Sequence, residues 1–181
     1  WIFNKPKGIV TSHRGPEGRK TVFASLPKGL PRLVSVGRLD INSEGLLLLT
    51  NNGDVARFFE LPSNKFRRNY HVRVYGKISA KEFTKLKNGC IIDGIRYGSV
   101  LVRILESGQH NHWLSISLTE GKNREIRRIM NHLDLEVSRL IRVSYGPYDL
   151  GSLSKGNILE VDLENVYNSR QIPGTQNQDR T

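Results

Sequence analysis

The sequence has 181 residues, of which 37% are hydrophobic, so the chain can bury a core and is expected to form one compact domain with room for two lobes. Its 28 lysines and arginines and 17 acidic residues give a net charge of +11, which indicates a polyanionic partner, first of all nucleic acid. The single cysteine, Cys90, excludes an intramolecular disulfide and fits a reducing, cytoplasmic setting, and no segment has the pattern of a membrane span or a membrane-surface helix.

Short strands separated by glycine, proline and asparagine turns, with few helices, predict an α+β fold. The chain begins inside the predicted strand "WIFNKPKG", so we expect further sequence upstream of Trp1. A second predicted strand ends in "LVSVGRLD", and the leucines of "EGLLLLT" then anchor the chain in the core. A helix is predicted over "GDVARFFE", and residues 61–64 are predicted to be a hinge between two lobes.

Alternating polarity predicts two half-buried strands, whose inward residues are Tyr70, Val72 and Val74 in the first and Leu114, Ile116 and Leu118 in the second. Between them, Asp93-Gly94 is a strong signal for a tight hairpin. A helix is expected in "SAKEFTKLKNG", capped by Ser79 and stopped by Gly89. From Ser169 onward the chain is polar and is predicted to be disordered.

The segment "NREIRRIMNHL" predicts a third helix, and its spacing separates three arginines. Its apolar residues form one stripe that must face the core, namely Ile126, Ile129, Met130 and Leu133. Arg127 falls at the edge of the stripe, where its guanidinium can enter a cleft. Arg124 and Arg128 are expected on the opposite side, toward solvent.

Asp40 is the first candidate catalytic residue, because the predicted strand would deliver its carboxylate where the chain turns. Gly37 would allow a close backbone approach, and Arg38 could hold the carboxylate ionised. An ionised, positioned carboxylate can act as a nucleophile or a general base. For an isolated R-x-D tripeptide, however, a surface ion pair is the more ordinary interpretation.

The rest of the chain favours the catalytic interpretation. The ordered segments "NKPKG", "GRLDINSEGLLLLTNNGD", "KFRRNYHVRVYG", "LTEGKNREIRRIM" and "SRLIRVSYGPYDLGSLSKG" resemble the ribosomal-RNA pseudouridine synthases. The resemblance is to the branch of small-subunit enzyme A and large-subunit enzymes B, E and F, and is strongest to the enzyme B group. It covers the chain from Trp1 to about Leu163.

This resemblance implies two α+β lobes that share a mixed, largely antiparallel sheet with a cleft between them, and no cofactor or metal. It implies that the protein isomerises a specific uridine of ribosomal RNA, chiefly large-subunit RNA, to pseudouridine. Asp40 matches the essential aspartate, Tyr70 the tyrosine that packs against the base, Arg127 the residue that pairs with the aspartate, and Leu140 an apolar cleft residue. Ser43 replaces the usual threonine and keeps its hydroxyl.

The domain assignment that follows is a catalytic domain over residues 1–168 and a tail over residues 169–181. The family's N-terminal S4-type RNA-binding domain is absent from this sequence, which puts RNA docking in doubt or makes the chain a fragment. We expect a monomer that binds ribosomal RNA or an assembling ribosomal subunit. The candidate RNA-binding residues, besides the cleft residues Arg38 and Leu140, are Lys65, Arg67, Arg68, Arg124, Arg128, Arg139 and Arg142.

Two other functions remain open at this point. The same basic residues could belong to a non-enzymatic ribosome-binding or assembly protein in which Asp40 is structural. The histidines of "HNH", His110 and His112, could belong to a metal-dependent nuclease, but no nearby aspartate or cysteine completes a ligand set.

Overall fold

The structure, a computed structural model, describes residues 1–15 and 18–163. The predicted disordered tail lies outside the described residues. The strands are β1 (Ile2–Lys5), β2 (Val34–Ser35), β3 (Glu44–Thr50), β4 (Arg68–Tyr75), β5 (Cys90–Ile92), β6 (Ile95–Tyr97), β7 (Val100–Ser107), β8 (Asn111–Leu118), β9 (Glu136–Tyr145), β10 (Tyr148–Asp149) and β11 (Ile158–Leu159). The α-helices are α1 (Gly53–Glu60), α2 (Ala80–Lys85) and α3 (Glu125–His132).

Within the described ranges, nine strands form one sheet in the order β11-β1-β3-β9-β4-β8-β7, with β2 on β3 and β10 on β9. Each neighbouring pair is antiparallel except β3 and β9, which are parallel. Strands β5 and β6 form a separate hairpin. The predicted α+β class with a mixed, largely antiparallel sheet is confirmed.

The buried leucines of β3 explain why the chain carries an uninterrupted apolar run. Leu46 and Leu48 pack in one core cluster with α1, whereas Leu47 and Leu49 pack in a second cluster on the other face. Both faces of β3 are therefore covered. The sequence of a strand that is covered on both faces is hydrophobic throughout and does not alternate with polar residues. A third cluster, under α3, contains the inward residues of β4 and β8.

Most of the predicted local signals are confirmed. Ser79 caps α2 by accepting a hydrogen bond from the Glu82 amide, and Gly89 ends the following turn with a φ of +78°. Asp93 and Gly94 both have positive φ, which is the conformation of a type I′ hairpin turn. The 61–64 segment contains a short 3-10 helix, Pro62–Asn64, and its role as a hinge stays a prediction.

The predicted strand over "LVSVGRLD" is wrong in its extent, since β2 comprises only Val34–Ser35. After Ser35 the chain leaves the sheet, and the side chain of Thr11 takes up the hydrogen-bonding groups of the Leu39 backbone. The Thr11 hydroxyl donates to the Leu39 carbonyl over 2.9 Å and accepts from the Leu39 amide over 3.3 Å. Asp40 therefore sits in an irregular segment and not at a strand end.

The helices within the described ranges are too short to cross a membrane. Those same ranges contain no group of three His, Cys, Asp or Glu side chains that could hold a metal ion. His112 is buried, and its two ring nitrogens hydrogen-bond to Ser107 Oγ and the Gly76 carbonyl, each over 3.0 Å. These contacts leave neither nitrogen free, so the metal-site interpretation of "HNH" is wrong.

Candidate active site

A cleft of about 480 Å³ opens beside the junction of β3 and β9. It is lined by the segment before β3, by the start of β4, by β9 and by the loop that leads into α3. Of the residues selected from the sequence, the cleft brings together Arg38, Asp40, Arg68, Tyr70, Arg124, Arg127, Leu140 and Arg142. Lys65, Arg67 and Arg128 are exposed and do not line it, so any contact they make with RNA lies outside the cleft.

The segment that carries Asp40 is held by backbone contacts and by one buried cation. The Ser43 amide donates to the Asp40 carbonyl over 2.9 Å, and the Gly8 amide donates to the Ile41 carbonyl over 2.8 Å. Lys5 Nζ donates to the Asp40 carbonyl over 3.0 Å and to the Ser43 carbonyl over 2.8 Å. The Asp40 side chain remains 38% exposed, so its carboxylate is open to a molecule in the cleft.

Lys5 was missed as a site residue by the sequence analysis, although it lies in the quoted "NKPKG" segment. It is fully buried at the end of β1. Burial lowers the pKa of Lys5 to about 8, while the negative charges of Asp40 and Glu44 act in the opposite direction. The ammonium group thus organises the loop of Asp40 through carbonyl groups, in a place where its own charge is disfavoured.

A pH-dependent contribution to stability should follow from Lys5. Below pH 8 the amine is protonated in both folded and unfolded protein, whereas between pH 8 and its unfolded value of 10.5 the folded state binds fewer protons. The free energy of unfolding of the wild type, relative to Lys5→Met, should therefore rise with pH across that window. Denaturant unfolding at pH 7 to 10 measures it. A flat or falling difference between the wild type and Lys5→Met would contradict this expectation.

The carboxylate of Asp40 has an arginine partner, and it is Arg124. Arg124 Nη1 lies 3.5 Å from Asp40 Oδ2, with both side chains partly exposed. The expectation that Arg124 points away from the cleft is wrong, because Arg124 precedes the helix as its N-cap, with a φ of +51°, and the phase of α3 does not apply to it. In the described residues, Arg38 forms no ion pair with Asp40.

Arg127 lies at the half-buried edge of α3, as its helical phase predicted. Its guanidinium donates to the Asn42 carbonyl over 3.2 Å and to the Val137 carbonyl over 3.3 Å, so it holds the loop that follows Asp40 and does not pair with the carboxylate itself. Burial lowers the pKa of Arg127, the charge of Arg124 adds to this, and Asp40 opposes it. A catalytic role for Arg127 stays a prediction.

Tyr70 and Leu140 supply apolar surface to the cleft. They lie on the neighbouring strands β4 and β9, and each is less than a tenth exposed. Tyr70 packs in the core with Val72 and Val74, as the alternating pattern predicted. The cleft therefore combines an open carboxylate with an aromatic and an aliphatic side chain.

Three arginines predicted to contact phosphate are hydrogen-bonded to other residues of the chain. Arg68 donates to the carbonyls of Thr119 and Glu120, over 2.9 and 2.6 Å, and to the hydroxyl of Tyr145 over 2.7 Å. Arg139 forms a bidentate pair with Glu44, over 2.8 and 3.2 Å.

The third of these, Arg142, is buried and donates from Nε to the Leu46 carbonyl over 2.7 Å, while its buried Nη2 has no partner among the described residues. Arg68 and Arg142 line the cleft, and their hydrogen bonds to other residues hold both side chains in its wall.

The loop before α3 is braced by acidic residues that the sequence analysis did not select. Glu120 accepts from Lys122 Nζ over 2.6 Å and from the Gly98 amide over 3.0 Å, and the contact with Lys122 is the main reason that the pKa of Glu120 is lowered. Glu125 is buried, which raises the pKa of its carboxyl, and it accepts from the Lys122 amide over 3.0 Å. These contacts fix the loop that presents Arg124 to Asp40.

Comparisons with known proteins agree with this geometry. The sequence model of the RNA pseudouridylate synthase family matches residues 1–132. A protein of Rickettsia bellii described as an uncharacterized RNA pseudouridine synthase is 53% identical over 161 residues, which cover 89% of this chain and 69% of the relative. Ribosomal large subunit pseudouridine synthase B of Buchnera aphidicola is 40% identical, with 92% of this chain and 68% of the relative covered.

The corresponding enzyme B of Pasteurella multocida is 38% identical over 175 residues, and the chain spans about half of its length. Among solved structures, a pseudouridylate synthase superimposes with a TM-score of 0.76 at 25% identity, covering 86% of this chain and 66% of the other. The resemblance inferred from the ordered motifs is thereby confirmed. This chain belongs to the RNA pseudouridylate synthase family.

Proposed function

We propose that this protein isomerises a specific uridine of large-subunit ribosomal RNA to pseudouridine, with Asp40 as the catalytic carboxylate. The observation that carries the proposal is the cleft, in which the open carboxylate of Asp40 meets the apolar surface of Tyr70 and Leu140. The relatives named large-subunit enzyme B support the choice of RNA.

The reaction exchanges one bond for another. The bond between N1 of uracil and C1′ of ribose breaks, a bond between C5 and C1′ forms, C5 loses its proton, and N1 ends with one. A carboxylate can serve either by attacking the sugar or by removing a proton during glycosidic cleavage, and both routes suit the position of Asp40.

The target base must leave its stack to reach Asp40. The surface of Tyr70 and Leu140 can pack against the extruded base and favours its residence in the cleft. Lys5 and Arg127 hold the loop of Asp40 through carbonyl oxygens, so the carboxylate needs little reorganisation when RNA binds.

Of the three arginines around α3, Arg124 and Arg127 should affect the reaction rate, whereas Arg128 should affect only RNA affinity. Arg124→Ala and Arg127→Ala should each lower the single-turnover rate with saturating RNA by roughly tenfold or more, because one faces the carboxylate and the other holds its loop. Arg128→Ala, outside the cleft, should change only RNA affinity, and slightly. Equal, binding-only defects from all three substitutions would show that they are interchangeable phosphate contacts.

The proposed activity is tested by incubating the protein with unmodified large-subunit ribosomal RNA transcribed with uridine tritiated at C5. Conversion to pseudouridine releases the C5 proton, so tritium should appear in water in proportion to the pseudouridine formed. RNA binding without any tritium release would favour the alternative of a non-enzymatic ribosome-binding or assembly protein.

A further inference from the structure

The chain between β1 and β2 is unusually basic. The β1–β2 segment, defined as residues 7–32, contains one acidic residue, Glu17, in its sequence. Its cations are all exposed, and they are Lys7, Arg14, Arg19, Lys20, Lys28 and Arg32. None of them was selected from the motifs, because apart from the adjacent Arg19 and Lys20 they are scattered singly and form no run.

The described residues of the β1–β2 segment, 7–15 and 18–32, are anchored by apolar side chains. Ile9 and Val22 are buried in the core cluster that also contains Leu39 and Leu47. The Val10 amide donates to the Lys20 carbonyl over 3.1 Å, and the Val22 amide donates to the Val10 carbonyl over 2.9 Å. Because these apolar side chains are buried and the six cations are exposed, the cations form the outer surface of the segment.

This surface is joined directly to the loop of Asp40. The Gly8 amide bonds to the Ile41 carbonyl, and Thr11 makes the two hydrogen bonds with Leu39 that turn the chain toward Asp40. Two residues of the β1–β2 segment are thus hydrogen-bonded to the immediate neighbours of the proposed catalytic carboxylate. The segment is therefore anchored to the chain on both sides of Asp40.

The cations of the β1–β2 segment are available to a partner. Over the ranges that the structure describes, none of the six takes part in an ion pair, whereas Glu44 holds both Arg139 and Lys155. Exposed charges of one sign repel one another, and a polyanion that binds them removes this cost. A phosphate backbone supplies negative charges at a spacing that can match several cations at once.

We propose that the β1–β2 segment binds the phosphate backbone of RNA next to the target uridine. This inference rests on the proposed function, since it takes the RNA to be the one whose uridine enters the cleft. The segment, and not the internally bonded Arg68, Arg139 and Arg142, then supplies the main electrostatic contact on the Asp40 side of the cleft.

The test compares two triple variants that remove the same charge. Lys7, Arg19 and Lys20 are changed to glutamine in the first, and Lys77, Lys81 and Lys87 in the second. The control cations are exposed and follow β4 in the sequence, none of them lines the cleft, and the last residue of β4, Tyr75, is already roughly 17 Å along the strand from Tyr70. The first variant should weaken binding to unmodified large-subunit ribosomal RNA by about tenfold or more and flatten the log–log salt slope by about 2.

The control variant should change affinity and salt slope much less. Equal effects of the two variants, or an unchanged slope in the first, would overturn the inference. Failure of the proposed function is distinguishable from failure of this inference. If the protein is not a pseudouridine synthase, the wild type releases no tritium, but the comparison of the two triple variants still shows whether RNA binds the β1–β2 segment.

Discussion

Asp40→Asn should abolish tritium release from C5-labelled uridine in RNA, with a loss of at least about 10³-fold in the single-turnover rate. Asparagine has nearly the size of aspartate and keeps an acceptor oxygen, but it can neither carry the negative charge needed to attack the sugar nor accept a proton. The backbone contacts that hold the loop, from Lys5 and Ser43, involve the Asp40 carbonyl and are unaffected. RNA binding should therefore survive, and should tighten slightly because one negative charge is removed near the phosphates.

The matched control for this charge change is Asp149→Asn, at an exposed residue of β10 that does not line the cleft. It should retain wild-type turnover and affinity. Turnover by Asp40→Asn comparable to that of the wild type would show that another group performs the chemistry, and the assignment of Asp40 would be wrong.

Gly45→Ala should lower the free energy of unfolding by about 3 kcal/mol or more, because it combines a disfavoured backbone conformation with a steric overlap. Gly45 has a φ of +99°, and a Cβ atom there would overlap the carbonyl oxygen of Arg142 and approach its amide nitrogen to 2.9 Å. These atoms belong to the short parallel pairing of β3 with β9, which joins the strands that precede α1 to those that follow it. Displacing β9 would also move Leu140.

Denaturant unfolding measures this effect, and Gly53→Ala is its control. Gly53 opens α1, has no atom near its would-be Cβ and does not have positive φ, so alanine should be neutral or slightly stabilising there. If Gly45→Ala were as stable as the control, the β3–β9 junction would be able to shift without cost, and its role in fixing the cleft would be refuted.

Features that depend on periodicity were predictable from the sequence. The burial of Tyr70 and Val72 follows from the twofold alternation of a strand, and the buried face of α3 follows from helical spacing. Arg124 shows where such reasoning stops. It lies one residue outside the helix in a left-handed conformation, so a wheel drawn through it assigns the wrong direction.

The contacts of buried cations were not predictable. Lys5 was not selected from the sequence and Arg68 was selected as a phosphate contact, because a sequence does not show where carbonyl groups converge. In the structure each cation is held mainly by main-chain oxygens of distant segments, such as Ser43 for Lys5 and Thr119 for Arg68. No acidic residue nearby in the sequence signals these contacts, and only the tertiary fold creates them.

The central claim is that this chain converts uridine to pseudouridine at a defined place in ribosomal RNA. Mapping pseudouridine at single-nucleotide resolution in unmodified large-subunit ribosomal RNA, after incubation with the wild type or with Asp40→Asn, tests it most directly. We expect one position, or a very small set, to be converted by the wild type and none by the variant. An RNA that is bound by the wild type but remains unmodified at every uridine would contradict it.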